Sequence, residues 1–185
     1  GKTTLLRCLS GLDPFDRGTI DVAGVHAVGG VTATALRGKV GLVFQTLELF
    51  PHLSVVDNCV LAPVHVLGMA RRDAIARATA LLGDLDLGDK AAAHPEALSG
   101  GQRQRVAIAR ALVSSGRDGE HRLVLADEPT GSLDSVNGEA VMVALRNACD
   151  DGAGGVMVTH DARLASWADR VIFLRDGVIV DETRT

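Results

Sequence analysis

The chain has 185 residues, enough for one domain with a sizeable core, and its composition (46% apolar, 23% charged) argues against disorder. A formal net charge of −4 argues against a nucleic-acid binder held mainly through phosphates. The three scattered cysteines, Cys8, Cys59 and Cys149, form no CxxC pair and read as small buried residues of a reducing compartment, not as a disulfide framework or zinc site.

Lys2–Leu9 reads as a helix with Leu5, Leu6 and Leu9 on one face and Gly11 available to end it. Gly18–Gly24 is a short alternating strand. Lys39–Phe44 is a nearly continuous apolar strand that runs into Gln45. Ser54 and Asp57 form the S-x-x-D start of a helix towards Leu67. No apolar run is long enough to span a bilayer, since Val55–Ala70 is broken by Asp57, Asn58, Pro63 and His65.

Arg71–Leu82 is a second helix, with Ile75, Ala78, Leu81 and Leu82 at helical spacing and its arginines on a solvated face. Ser99 caps a third helix reaching about Val113. Leu123–Ala126, Gly155–Thr159 and Arg170–Leu174 read as short apolar strands, with helices near Ser135–Cys149 and Asp161–Ala168 between them. This alternation predicts βαβ units, hence an α/β fold with a mainly parallel sheet flanked by helices. Val55–Leu87, helical without a strand, reads as an insertion, and Ser114–His121 as a polar surface loop.

Three motifs carry chemistry. Gly1-Lys2-Thr3-Thr4 fits the last part of G-x-x-x-x-G-K-[ST], in which backbone N–H groups and a helix N-terminus hold phosphates, the lysine reaches the β- and γ-phosphates and a hydroxyl meets Mg²⁺. Leu123–Glu128 is an apolar strand with two carboxylates at its end, which suits Asp127 near Mg²⁺ and Glu128 polarising an attacking water. Leu98-Ser99-Gly100-Gly101-Gln102 opens a helix with a hydroxyl and two unhindered N–H groups, again suited to an anion.

In their order, these motifs resemble the ATP-binding cassette family over essentially the whole chain, with LSGGQ as its signature. Gln45 is similar to the family's Q-loop glutamine, Ser132-Leu133-Asp134 to its D-loop and His160 to its switch histidine. The resemblance implies one P-loop NTPase-type domain over residues 1–185, with an antiparallel β portion and a helical subdomain at about 54–98. It implies ATP and Mg²⁺ as cofactors. Gly1, Lys2, Thr3 and Thr4 would then hold phosphates; Thr3, Gln45 and Asp127 the metal; and Glu128, His160 and Gln45 would serve hydrolysis. Ser99, Gly100, Gly101, Gln102 and Asp134 would close over nucleotide bound by a second cassette, arranged head to tail.

The resemblance further implies transmembrane permease partners, no nucleic acid, and a peripheral position on the cytoplasmic face of the inner membrane. A permease helix would dock beside Thr46–Leu53, where Leu47, Leu49, Phe50 and Leu53 crowd into a loop; packing of that loop onto the sheet is the alternative. Leu49–Val55 resembles importers of polar amino acids, whereas Leu123–Asp134 resembles lipoprotein-release and macrolide-export cassettes. A soluble cassette of translation or DNA repair is the reading of another class. A non-catalytic fragment is a further one: the first glycine and preceding strand of the phosphate loop are absent, so the chain as given is expected to bind ATP poorly.

Overall fold

A computed structural model describes residues 1–29, 33–36, 38–114, 123–131, 133 and 135–184, without the side chains of 33, 34 and 135–137. Helix α1 (Lys2–Leu9) is followed by a hairpin of β1 (Thr19–Val22) and β2 (Val25–Val28). Its turn, Ala23-Gly24, has φ of 47° and 74°, the paired left-handed geometry that matches strand twist. A short helix α2 (Ala33–Leu36) leads to β3 (Val40–Val43).

Helix α3 (Val55–His65) starts where the S-x-x-D pattern predicts, with Ser54 Oγ accepting the Asp57 N–H at 3.1 Å. Pro63 lacks a backbone donor, and the helix ends two residues later. Helix α4 (Arg71–Asp84), two 3₁₀ turns (Gly88–Lys90 and Pro95–Ala97) and α5 (Gly100–Val113) complete a run with no strand. Strand β4 (Leu123–Asp127), α6 (Ser135–Asp150), β5 (Gly154–Val158) and α7 (Ala162–Ala165) follow. A second hairpin, β6 (Arg170–Arg175) and β7 (Val178–Arg184), turns at Asp176-Gly177 with φ of 51° and 80°.

The order β3-β4-β5 forms a parallel sheet in which Val43 faces Ala126 and Asp127 faces Val158. The strand at 170–174 does not extend this sheet among the described residues; it pairs antiparallel with β7. Two further differences from expectation are local. Helix α7 is shorter than Asp161–Ala168 because the N–H groups of Trp167 and Ala168 bond three residues back, to Leu164 and Ala165, and do not continue the α-helical pattern. On α4 the buried face is Ala74, Ala78 and Leu82, with Ile75 and Leu81 flanking it.

The core is centred on α5. From Gln104 to Val113 every residue except the half-buried Arg110 is buried, against α3, α4 and the sheet. Each fully buried Val, Ile or Leu there contributes about 1.5–3 kcal/mol relative to exposure. The central helix is thereby held as a rigid strut. A smaller cluster of Val22, Ala27 and Leu36 seats the first hairpin.

Candidate functional site

Parallel strands open their C-terminal ends on one edge, where side chains just past the strands gather. Gln45 lies just past β3, Asp127 ends β4 with Glu128 after it, and Thr159 and His160 follow β5. Asp127 is 5% exposed, and Gln45 is exposed. His160 Nδ1 donates to Glu128 Oε1 at 2.8 Å, in the tautomer with hydrogen on that nitrogen, and Thr159 Oγ1 donates to Oε2 at 3.4 Å. The pair joins a half-buried carboxylate to an exposed imidazole.

The backbone of Glu128 is left-handed, with φ of 49°, and it precedes Pro129, which restricts it further. Such a conformation costs a non-glycine residue about 1–2 kcal/mol. It is held because the Glu128 N–H donates to the Val158 carbonyl at 2.9 Å and its own carbonyl accepts from Gly131 N–H at 3.1 Å. Strain fixed from several sides is typical of residues that must be aimed.

Lys2, Thr3 and Thr4 occupy the first turn of α1, all exposed. The Gly1 carbonyl accepts the first helical bond, from Leu5 N–H at 3.0 Å, so the N–H groups of Lys2, Thr3 and Thr4 have no intrahelical partner. A cation, two hydroxyls and outward N–H groups suit a phosphate, and α1 packs against β4, which ends in Asp127. Among the described residues no three His, Cys, Asp or Glu side chains gather as a metal site. A Mg²⁺ ion held by one carboxylate, a hydroxyl and the ligand's own phosphates fits these donors.

At the start of α5, Ser99 Oγ accepts Gln102 N–H at 3.2 Å and Gln102 Oε1 accepts Ser99 N–H at 2.9 Å, a reciprocal capping box. Gly100 faces open space, whereas a Cβ on Gly101 would come within 3.0 Å of Leu133 Cδ2. The signature therefore presents a capped helix end with room for a ligand at Gly100. Ser132 and Asp134 of the expected D-loop, and 115–121 of the expected polar loop, lie outside the described residues.

Three buried or half-buried polar side chains went unread in the sequence. Asn58, 1% exposed, accepts Phe50 N–H at 2.8 Å and donates to the carbonyls of Phe50, Leu53 and Ser54. Arg110 of α5 donates to the Leu47 carbonyl at 2.9 Å and to that of Glu48, and burial lowers its pKa from the ordinary arginine value. Gln104 Nε2 donates to the Pro129 carbonyl at 2.8 Å. The signal available was a polar residue within an otherwise apolar helix or strand-end pattern.

The segment after Gln45 divides between the two expectations made for it. Leu49 packs on the core, while Phe50 is 41% exposed and makes an edge contact with His52. Nearby lies an apolar cleft of about 320 Å³ between α1, β3 and the end of α3, lined by Leu12, Leu36, Phe44, Val66 and Leu67.

Residues 1–131 match the ABC transporter family. The chain is similar to the macrolide export ATP-binding/permease protein MacB of Shigella flexneri, with 45% identity over 184 residues, 97% of this chain and 27% of that protein. It thus spans about a quarter of the length of such relatives. It is also 39% identical to the arginine transport ATP-binding protein ArgV of Corynebacterium glutamicum, over 98% of this chain and 74% of that one. Among solved structures, a dimeric bacterial ABC transporter cassette superposes with a TM-score of 0.87 at 35% identity. It aligns with 100% of this chain and 80% of its own. A dimeric post-hydrolysis cassette bound to ADP and Pi gives 0.85 at 33%, with the same coverage.

Proposed function

The chain belongs to the ABC transporter family, and on that premise we propose that it is the ATP-binding and ATP-hydrolysing cassette of a membrane transporter. The observation that carries this reading is the Glu128–His160 pair, aimed from two adjacent strand ends. Lys2 would neutralise the β- and γ-phosphates, with Gly1, Thr3 and Thr4 supplying N–H groups and hydroxyls. Thr3, Gln45 and Asp127 would hold Mg²⁺, whose role is to offset charge on the transferring phosphoryl group. Glu128 would orient and deprotonate the attacking water, and His160 would keep that carboxylate in place.

Ser99, Gly100, Gly101, Gln102 and Asp134 would complete the site of a second, head-to-tail cassette; that two structural neighbours are dimeric supports the pairing of cassettes. No described helix is long and apolar enough to cross a membrane. On the family reading, a permease would carry the cassette at the cytoplasmic face of the inner membrane. Import of polar amino acids is the first transport reading, supported by the 39–40% identity to the arginine and glutamate ATP-binding proteins. Export is the second, favoured by Leu123–Asp134 together with the 45% identity to the macrolide relative.

The test is steady-state hydrolysis of ATP·Mg²⁺ by the chain with its phosphate loop completed ahead of Gly1, beside two variants of it. Lys2→Ala should weaken ATP binding. Glu128→Gln should keep binding, lower kcat by about a hundredfold or more, and accumulate as an ATP-dependent dimer on size exclusion. Parental turnover by Glu128→Gln would remove the assignment. Labelled arginine uptake against macrolide efflux, with the cognate permease, separates the two transport readings.

A further inference from the structure

Gln104 lies one turn inside α5, is 1% exposed, and is flanked on the same helix by Val106, Ala107, Ile108 and Ala109, all buried. A buried amide without partners costs free energy, so the bond it donates among the described residues shows what it is aimed at. That bond goes to the carbonyl of Pro129, the residue after Glu128, at 2.8 Å. Proline cannot donate a backbone bond, and its carbonyl is the handle by which the turn can be grasped from the helix side. The strained Glu128 backbone is thus gripped on one side by β5, through Val158, and on the other by the signature helix.

We propose that Gln104 is a positioning residue that couples the signature helix of a chain to the catalytic carboxylate of the same chain. The inference rests on Glu128 acting in hydrolysis. Displacement of the capped N-terminus of α5 by a ligand would travel along a rigid, buried helix to Gln104, and from there to the Pro129 carbonyl and the turn that aims Glu128. A site closed by one cassette's signature thereby informs that cassette's own site. Loss of the bond lets the strained turn relax, which misplaces Glu128 without altering the groups that hold phosphate.

Gln104→Met keeps the length and removes the donor. It should lower kcat about tenfold while the KM for ATP stays close to parental; the melting temperature falls by a few degrees, because the buried Pro129 carbonyl loses its donor. In a Glu128→Gln background it should have no further effect on residual turnover, because the group it positions is gone. Gln104→Glu supplies a second reading: burial favours the neutral carboxyl, whose O–H can donate to Pro129, so kcat should persist at low pH and fall as that carboxyl ionises, a limb absent from the parent. Parental kcat in Gln104→Met, or kcat and KM changing together, would overturn the coupling. If Gln104→Met does not fold, the pH limb of Gln104→Glu decides, and its absence overturns the proposal. Parental hydrolysis with loss in Glu128→Gln establishes the underlying reading separately, so the two failures are distinguishable.

Discussion

His160 Nδ1 and Glu128 Oε1 lie 2.8 Å apart, so the residue that follows β5 fixes the side chain that follows β4. The exposed imidazole therefore restrains a carboxylate that is itself largely covered. His160→Ala should reduce kcat by about ten- to a hundredfold, with ATP affinity within about twofold of parental. Single-turnover kinetics and nucleotide titration check this; an unchanged single-turnover rate would show that Glu128 is held without the histidine.

Arg110 bridges α5 to the carbonyls of Leu47 and Glu48, and Glu48 is itself left-handed at φ of 48°. Arg110→Met should leave both carbonyls short of a partner and destabilise the fold by about 1–3 kcal/mol. Amide exchange should rise first around residues 47–50. Uniform exchange across the chain would contradict the local tie.

What could be read from the chain alone was what short-range chemistry writes. The S-x-x-D at Ser54 and the capping Ser99 marked the starts of α3 and α5, because caps bond within three residues. The Asp176-Gly177 and Ala23-Gly24 turns were equally local, yet β2 and β7 went unread. The residues of β7 are all exposed, so no apolar alternation advertised it. Gln104 and Arg110 were out of reach for another reason: their partners lie 25 and 63 residues away. The Glu128–His160 meeting needed the β4–β5 register, which the motif order implied but did not measure.

Asp57 should give the fold an acid-sensitive tie. The Ser54 hydroxyl, donating at 2.6 Å, and then Arg71 hold its pKa below the ordinary carboxylate value. A group with a depressed folded-state pKa contributes stability above its unfolded value, and that contribution is lost as pH falls through the folded one. Asp57→Asn should therefore cost about 0.5–1 kcal/mol at neutral pH and show a flatter fall in melting temperature below about pH 4. Parallel pH curves for variant and parent would discount the tie.

Phe50→Asp probes permease docking. The ring is 41% exposed while its neighbour Leu49 packs inward, so the substitution should spare the fold and basal hydrolysis. Co-purification with the permease and stimulated hydrolysis should both be lost, as expected of an exposed apolar contact. A melting temperature well below parental would instead assign Phe50 to packing, and unchanged co-purification would place the contact elsewhere.

The pairing of Val40 with Leu123 has a consequence in time. Among the described residues, the parallel neighbour of β3 is β4, which leaves the ribosome only after the whole helical run. The contacts among α3, α4 and α5 are closer in sequence and can form first. At about 5–20 residues per second, the apolar edge of β3 waits on the order of ten seconds during synthesis. Over that interval, premature association of β3 competes with native pairing, and slower translation between residues 44 and 122 would lengthen the exposure.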